Sequence, residues 1–351
     1  MKGEQQYQIQ CPIPHSEDET ILLSHGGGGR LTRKLIEKTF LPYFFNPYLA
    51  PLNDGAVIEL DGKRLAFTTD SFVVQPLSFP GGDIGKLAIN GTINDLAMCG
   101  AKPLYLSAGF IIEEGFPVNQ LEAILSSMQQ AAQEAEVSII TGDTKVVQRG
   151  KGDGIFINTS GIGLMITNQI ISPQSVQPGD AIILSGDIGR HSIAVLIARG
   201  ELGLESPIES DCAPLHQPVL ALLEKGLPIH CLRDLTRGGL ATALVEIARS
   251  AQLSIKIDEK AIPIQPEVYS LCEVLGYDPL YLANEGCMVV FVPSSVASEA
   301  LEILHQFPVS RGAVVIGEVI EDSKGWVVLK TVIGSERLLE MLSGEQLPRI
   351  C

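Results

Sequence analysis

The last residue of the chain, Cys351, is a thiol at the end of Pro348-Arg349-Ile350, and a sulfur placed there is suited to act as a reaction handle. A frayed terminus that happens to end in cysteine is the plainer alternative. Carboxylates are the second chemical feature. Asp54 sits in Asn53-Asp54-Gly55, Asp70 follows the alternating Leu65, Phe67 and Thr69, and Asp143 stands beside Thr144 and Lys145. Asp95 adjoins a polar stripe, Lys86, Asn90 and Asn94, that runs at i, i+4 spacing through apolar residues. Buried amides and a carboxylate are costly unless something satisfies them. A phosphate with bound Mg²⁺ would do so, as would an internal polar network joining two helices. Asp143 with Lys145 fits a nucleotide site, because Mg²⁺ takes one or two carboxylates plus phosphate oxygens; a polar turn with a local ion pair fits equally well. Asp234 lies in Arg233-Asp234-Leu235-Thr236-Arg237-Gly238-Gly239 ahead of a helix, where amides and Arg237 would hold an anion or a cap and an ion pair would suffice. Glu285, in Asn284-Glu285-Gly286, occupies another loop-to-strand junction.

A glycine run, Gly26 to Gly29 after His25, frees the backbone to approach a ligand or to move as a lid. It is not a P-loop, since Arg30 and Leu31 follow it, and no G-x-S-x-G partner exists for an esterase reading.

Several elements must position these groups. A helix over Leu31 to Phe40 precedes strands at Val57 to Leu60 and Arg64 to Thr69, the second delivering Asp70 at its end. The stretch from Gly82 to Gly100 predicts a helix that lies deep, because Ile84, Leu87, Ala88, Ile89, Ile93, Leu96, Ala97 and Met98 cover most of its circumference. Asn119 and Glu122 predict a capping box for the next helix. A strand Val137 to Ile140 ends in the tight group Thr141 to Lys145, and Ile155 to Ile166 predicts a long strand. Past Pro173 and Pro178 the second half predicts a strand at Ala181 to Leu184 and helices at Ser192 to Arg199, Pro214 to Lys225 and Ala241 to Arg249. Strands at Cys287 to Val292, Ala313 to Val319 and Trp326 to Val332 follow. Leu338, Met341 and Leu342 show helical spacing and Gly344 a stop, so the residues after it predict a mobile arm. An extended arm of about seven residues, at about 3.3 Å each, reaches roughly 23 Å.

A length of 351 residues with 45% hydrophobic residues fits a globular protein of two domains. The division expected is an extension over 1–20, an N-terminal domain over 21–168, a C-terminal domain over 169–343 and a tail over 344–351. A net charge of -16 disfavours nucleic acid as a partner. The seven cysteines include no Cys-x-x-Cys pair, which argues against a disulfide framework or a zinc site, and His191, His216 and His230 are scattered as ordinary polar residues. No signal peptide and no membrane span is expected, and the cytoplasm, which keeps Cys351 reduced, is the expected location.

Taken together, His25 to Arg30, Asn53-Asp54-Gly55, Thr69-Asp70, Asn90 to Ala97, Thr141 to Lys145, Arg233 to Gly239, Asn284-Glu285-Gly286 and the Pro-Arg-Ile-Cys end resemble the HypE family of hydrogenase maturation proteins. That family lies within the aminoimidazole ribonucleotide synthetase-like (PurM-like) ATP-using superfamily. The resemblance covers about residues 21–351 and implies two α/β (α+β) PurM-like domains, a homodimer formed through the N-terminal ones, and ATP between domains. It implies that Cys351 receives a carbamoyl group from the HypF carbamoyltransferase. ATP-dependent dehydration then yields a thiocyanate, whose cyanide passes to iron held by HypC and HypD. By the same resemblance Asp54, Asp70, Asp95, Asp143 and Asp234 hold Mg²⁺, and ATP meets Gly27, Gly28, Asn90, Asn94 and Thr144 as well as Asp54, Asp70, Asp95 and Asp143. Lys145 and Glu285 match residues near the modified cysteine. Glu285 is assigned as the base for the carbamoyl N–H protons and Lys145 to the transferring phosphoryl group, with the reverse left open. A thiamine monophosphate kinase or selenophosphate synthetase of the same superfamily is the enzymatic alternative, and a non-catalytic thiol carrier the other.

Overall fold

In the computed structural model, which describes residues 20–200, 203, 206–342, 347 and 349–351, the chain enters through helix α1 (Arg30–Leu35), a π-helical turn (Ile36–Phe40) and α2 (Leu41–Phe44). The expected extension thus lies outside the described residues except for Thr20, and so does the tail at 344–346 and 348. There follow β1 (Ala56–Leu60), β2 (Lys63–Phe72), the short pair β3 (Ser78–Phe79) and β4 (Gly82–Asp83), α3 (Ile84–Met98), β5 (Ala101–Glu113), α4 (Val118–Glu134), β6 (Ser138–Val147) and β7 (Ile155–Met165). The second half contains β8 (Asp180–Leu184), α5 (Arg190–Ala198), α6 (His216–Glu224), β9 (Cys231–Asp234), α7 (Gly239–Ala251), β10 (Ser254–Asp258) and α8 (Pro266–Leu275). It closes with β11 (Met288–Pro293), α9 (Ala297–Leu304), β12 (Val314–Ile320), β13 (Val327–Lys330) and β14 (Glu336–Leu339). No helix among the described residues is long and apolar enough to cross a membrane.

The first sheet has the order β1-β2-β7-β5-β6, antiparallel throughout except for the parallel pair β5 and β6. Its inner face is covered by α3, which packs on β2, β7 and β5 with α4 beside it. As its composition predicts, α3 is buried nearly all round, Ile84, Leu87, Ala88, Ile89, Ile93, Leu96 and Ala97 being fully inaccessible. The outer face is left bare: Phe67, Ile162 and Tyr105 lie in register across β2, β7 and β5, and all three are exposed.

The second sheet runs β14-β13-β10-β12-β8-β11-β9. Its central strands β8 and β11 are buried on both faces and obey the period of two that side chains follow along a strand. Ile182, Leu184, Val289 and Phe291 point to the core under α7, whereas Ala181, Ile183, Val290 and Val292 point to the core under α6 and α9. Ala97 and Met98 of α3 join that second core, so the two lobes share apolar packing.

Four expectations are corrected. Residues Glu336–Leu339 are a strand, not a helix, because β13 offers them a ladder (Val327 opposite Leu339) that turns Leu339 inward. Helix α4 is entered through Pro117 with no side-chain cap, and Asn119 lies inside it. Thr141 to Lys145 is not a turn but the middle of β6, and Arg233-Asp234 is the end of β9. Asp70 lies within β2 and not at its end, on the same inward side as Ala66 and Thr68.

Candidate active site

Between the lobes lies a cavity of about 750 Å³ whose wall includes Asp54, Asp70, Asp95, Asp234, Glu285 and Cys351. Each comes from a different element. Asp54 precedes β1, Asp70 projects from the inner side of β2, Asp95 stands in the last turn of α3, and Asp234 ends β9. Thr68 Oγ1 is 2.8 Å from both the Asp54 carbonyl and Asp95 Oδ2, so its one proton is shared between them. Burial raises the pKa of all four aspartates. Mutual repulsion adds to it: Asp95 is pushed up further by Asp234, Asp70 and Asp54, and Asp234 is pushed up to about 8 by burial and then by Asp54. Two cations partly offset this charge. Arg233 Nη1 pairs with Asp54 at 3.1 Å, and Arg237 opposes the rise at Asp70.

The end of the chain is docked against the body, with Cys351 in the wall of this cavity. Val73 N donates to the Cys351 carbonyl at 2.9 Å, Gln75 N to the Arg349 carbonyl at 3.2 Å, and Arg349 Nε to the Val73 carbonyl at 3.0 Å. Arg349 also pairs with Asp153, and Ile350 is buried. Arg237 lines the same cavity as Cys351, and the negative charge of that residue, ahead of those of Asp70, Glu285 and Asp95, raises its pKa.

Glu285 is almost wholly buried and its Oε1 has no hydrogen-bond partner. Burial, followed by the charges of Asp70, Asp234 and Asp211, holds its carboxyl well above the usual range. A carboxylate so placed is a strong proton acceptor once ionised.

The glycine run reaches the same region. Arg237 Nη1 donates to the Gly26 carbonyl at 3.2 Å, and Gly28, at φ +76°, lies so close to Arg237 that a Cβ there would strike the Arg237 Cβ. Gly28 lines the main cavity; Gly27 faces a small neighbouring crevice beside Ile350.

Other expected site residues are elsewhere. Asp143 and Lys145 pair with each other at 2.6 Å on the exposed edge strand β6, more than two-thirds exposed, and Thr144 N donates to Asp143 Oδ1. That ion pair holds the Asp143 carboxyl below the usual range. Asn94 commits its polar atoms to backbone of the second lobe, donating to the Ala213 and Glu285 carbonyls and accepting from Leu215 N at 2.7 Å. Asn90 donates to Cys212 Sγ, while its buried Oδ1 has no partner. Among the described residues, no group of three or more His, Cys, Asp or Glu side chains is arranged to hold a metal by itself.

Family models described as AIR synthase related protein, N-terminal domain, and AIR synthase related protein, C-terminal domain, match residues 52–165 and 177–330. The chain is 50% identical over 337 residues to carbamoyl dehydratase HypE of Rhodobacter capsulatus, covering 95% of this chain and 99% of that one. The chain belongs to the HypE family of carbamoyl dehydratases. Its fold agrees. A solved HypE–HypF complex superposes with a TM-score of 0.83 at 48% identity, over 88% of this chain and 99% of that one. A HypE hydrogenase maturation protein in complex with ATP gives 0.79 at 47% identity, over 95% and 100%.

Some residues around this HypE site carry no signal in the sequence. His191, an ordinary polar residue by its neighbours, is fully buried, with Nε2 2.7 Å from the Ile350 carbonyl. Asp211 accepts from Glu285 N and Gly286 N, both at 3.1 Å. Both contacts bridge segments more than seventy residues apart, which no periodicity reveals.

Proposed function

We propose that this chain dehydrates a carbamoyl group carried on its own Cys351, at the expense of ATP, giving an S-bound thiocyanate. The observation that carries the reading is the presence of Cys351 and of Glu285, whose Oε1 has no hydrogen-bond partner, in one cavity with four aspartates. A thiocarbamate oxygen is a poor leaving group. Phosphorylation of that oxygen, with loss of one N–H proton, makes it a phosphate ester; expulsion of phosphate with loss of the second proton leaves S–C≡N. Glu285 accepts one proton in each step, passing the first to solvent before it takes the second. Arg237, beside Cys351 and Asp70, stabilises the negative charge that develops on the oxygen.

The related HypE solved with ATP supports a nucleotide site in this chain; Gly28 in the cavity wall and the adjacent Gly27 would let its phosphates approach the backbone. Asp54, Asp70, Asp95 and Asp234 fit Mg²⁺: they are hard oxygen donors whose crowding raises their pKa values, and Mg²⁺ needs only one or two carboxylates when phosphate and water complete its shell. Bound there, the ion would neutralise phosphate charge. A second copy of the chain would complete the site with Asp143, Thr144 and Lys145. The bare apolar row Phe67, Ile162 and Tyr105 supports a homodimer through the first sheet. HypF is the carbamoyl donor, as the related HypE–HypF complex suggests, the HypC–HypD pair is the cyanide acceptor, and the cytoplasm keeps the thiol reduced. A small-molecule kinase or synthetase would leave the docked cysteine idle, and a thiol carrier would leave the buried carboxylates unexplained.

The test is mass spectrometry of the C-terminal peptide after incubation with HypF, carbamoyl phosphate and ATP. Carbamoylation followed by loss of one water is expected, neither occurring in Cys351→Ala. Asp95→Asn should keep the carbamoyl adduct but neither dehydrate it nor hydrolyse ATP. Modification that persists in Cys351→Ala would overturn the assignment.

A further inference from the structure

Two adjacent residues outside the cavity wall reach both ends of the proposed reaction. Ser210 Oγ lies 2.8 Å from His191 Nδ1, and His191 Nε2 lies 2.7 Å from the carbonyl of Ile350, the residue before the reacting cysteine. A carbonyl only accepts, so Nε2 carries the proton, Nδ1 accepts, and the Ser210 hydroxyl donates to it. Ser210 Oγ in turn accepts from Cys212 N at 3.0 Å. The next residue, Asp211, uses its two carboxylate oxygens to hold Glu285 N and Gly286 N. Gly286 is pressed so closely on the Asp211 carbonyl that no Cβ could stand there. The segment itself is tied to the first lobe: Ser210 N donates to the Pro80 carbonyl at 2.8 Å, and Asn94 grips Ala213 and Leu215.

We infer that Ser210 and Asp211 form a clamp that fixes the Cys351 sulfur and the Glu285 carboxylate relative to each other, Ser210 through His191 and the tail, Asp211 through the 285–286 backbone. Both are positioning residues. Without such contacts the end of the chain could place its sulfur at many distances from the base. The clamp refers both partners to one rigid dipeptide, so proximity is set before the nucleotide acts. Burial, which pushes the His191 pKa down to about 4, keeps the imidazole in the neutral form that the relay needs. Phe79 packs edge-on against the ring at 5.3 Å and restrains its rotation.

The inference rests on the proposed dehydration, and two readouts on the full chain separate them. The first is the rate at which iodoacetamide alkylates Cys351 without ATP, read on the C-terminal peptide. The second is the single-turnover rate of water loss from the carbamoylated protein, with the ATP KM measured in parallel. Ser210→Ala and His191→Ala should each speed alkylation and slow water loss by roughly tenfold, the equivalent of one net hydrogen bond, with the ATP KM unchanged. Asp211→Asn should slow water loss by a similar factor and leave alkylation as in the wild type. Wild-type alkylation and water loss in Ser210→Ala would overturn the clamp, and so would a parallel rise in the ATP KM, which would mark a general structural role. Failure of the wild type to lose water would overturn the proposed function instead, while the alkylation rates would still judge the tail half of the clamp.

Discussion

Asp54 and Arg233 form a 3.1 Å ion pair across the two lobes, both side chains being largely withdrawn from water. Arg233 Nη1 also reaches Glu246 at 3.4 Å, so one guanidinium serves two partly buried acids. Removing one partner of such a pair leaves a charge uncompensated in a largely desolvated wall. Arg233→Met is expected to destabilise the protein by about 3–5 kcal/mol in urea unfolding. The double variant Arg233→Met/Asp54→Asn should recover part of that loss, and strict additivity of the two single effects would show that the pair is not coupled.

Gly28 separates close approach from backbone strain. Its φ of +76° and the Arg237 Cβ in the way of any added Cβ both oppose a side chain, whereas Gly62, at φ +73°, has nothing within 4 Å. Gly62→Ala should cost only strain, roughly 1 kcal/mol, and leave activity intact. Gly28→Ala should in addition displace Arg237 from Cys351 and Asp70 and raise the ATP KM by roughly tenfold, about 1.4 kcal/mol of binding. Equal ATP KM values for the two variants would remove the glycine run from the nucleotide site.

Glu285→Gln replaces a proton acceptor by a neutral amide of the same shape. The backbone grip of Asp211 on residues 285 and 286 does not involve the side chain, so the fold should hold. Water loss from the carbamoylated tail should fall by roughly 10²–10⁴-fold, the usual worth of a positioned base, with carbamoylation unaffected. A rate within threefold of wild type would transfer the role elsewhere.

How much of this was legible in the sequence depended on whether a residue's partners were local. Helix α3 was readable because its apolar residues cover most of its circumference, leaving one narrow polar stripe, and burial nearly all round is what the structure contains. Asp54, Asp70, Asp95, Asp234, Glu285 and Cys351 were all named from the chain and all reach one cavity. Leu338, Met341 and Leu342 gave a false helix because their spacing suits either structure, and the neighbouring strand β13 decided the matter. Strand β5 escaped notice and β6 was cut short at Ile140: β5 carries apolar Tyr105 and Ile111 on exposed positions, and β6 is exposed along nearly its whole length, so neither shows the alternation that betrays a half-buried strand. His191 has its partner 159 residues later, beyond any sequence window.

His191 gives the tail a pH dependence whose sign follows from its environment. Burial lowers its pKa from 6.5 to about 4, so the docked fold disfavours the charged ring. Its neutral form contributes its full stability above pH about 6.5, and that contribution is lost as pH falls through 6.5 toward 4. At pH 5 the loss should amount to about 2 kcal/mol relative to pH 7.5. Urea midpoints for wild type and His191→Gln at the two pH values check this: the difference between the proteins should narrow at pH 5, and a constant difference would show that the ring's protonation does not bear on the fold.

Lys145 and Glu285 test the site's composition across subunits. Lys145 pairs with Asp143 on an exposed edge strand away from the cavity that holds Glu285 in the same chain. If the partner copy contributes Lys145, each active site combines Glu285 of one subunit with Lys145 of the other. Lys145→Met and Glu285→Gln homodimers should then each be nearly inactive in water loss. In a mixed dimer one site carries both lesions and the other carries none. Subunit exchange between the two inactive proteins should therefore restore activity, approaching a quarter of the wild-type level at random equal mixing, since about half the dimers are mixed and each has one intact site. Were Lys145 to act within its own chain, every site in the mixture would retain one lesion and no activity would return. An exposed ion pair contributes little to stability, so Lys145→Met should fold as the wild type does and the result would report on catalysis.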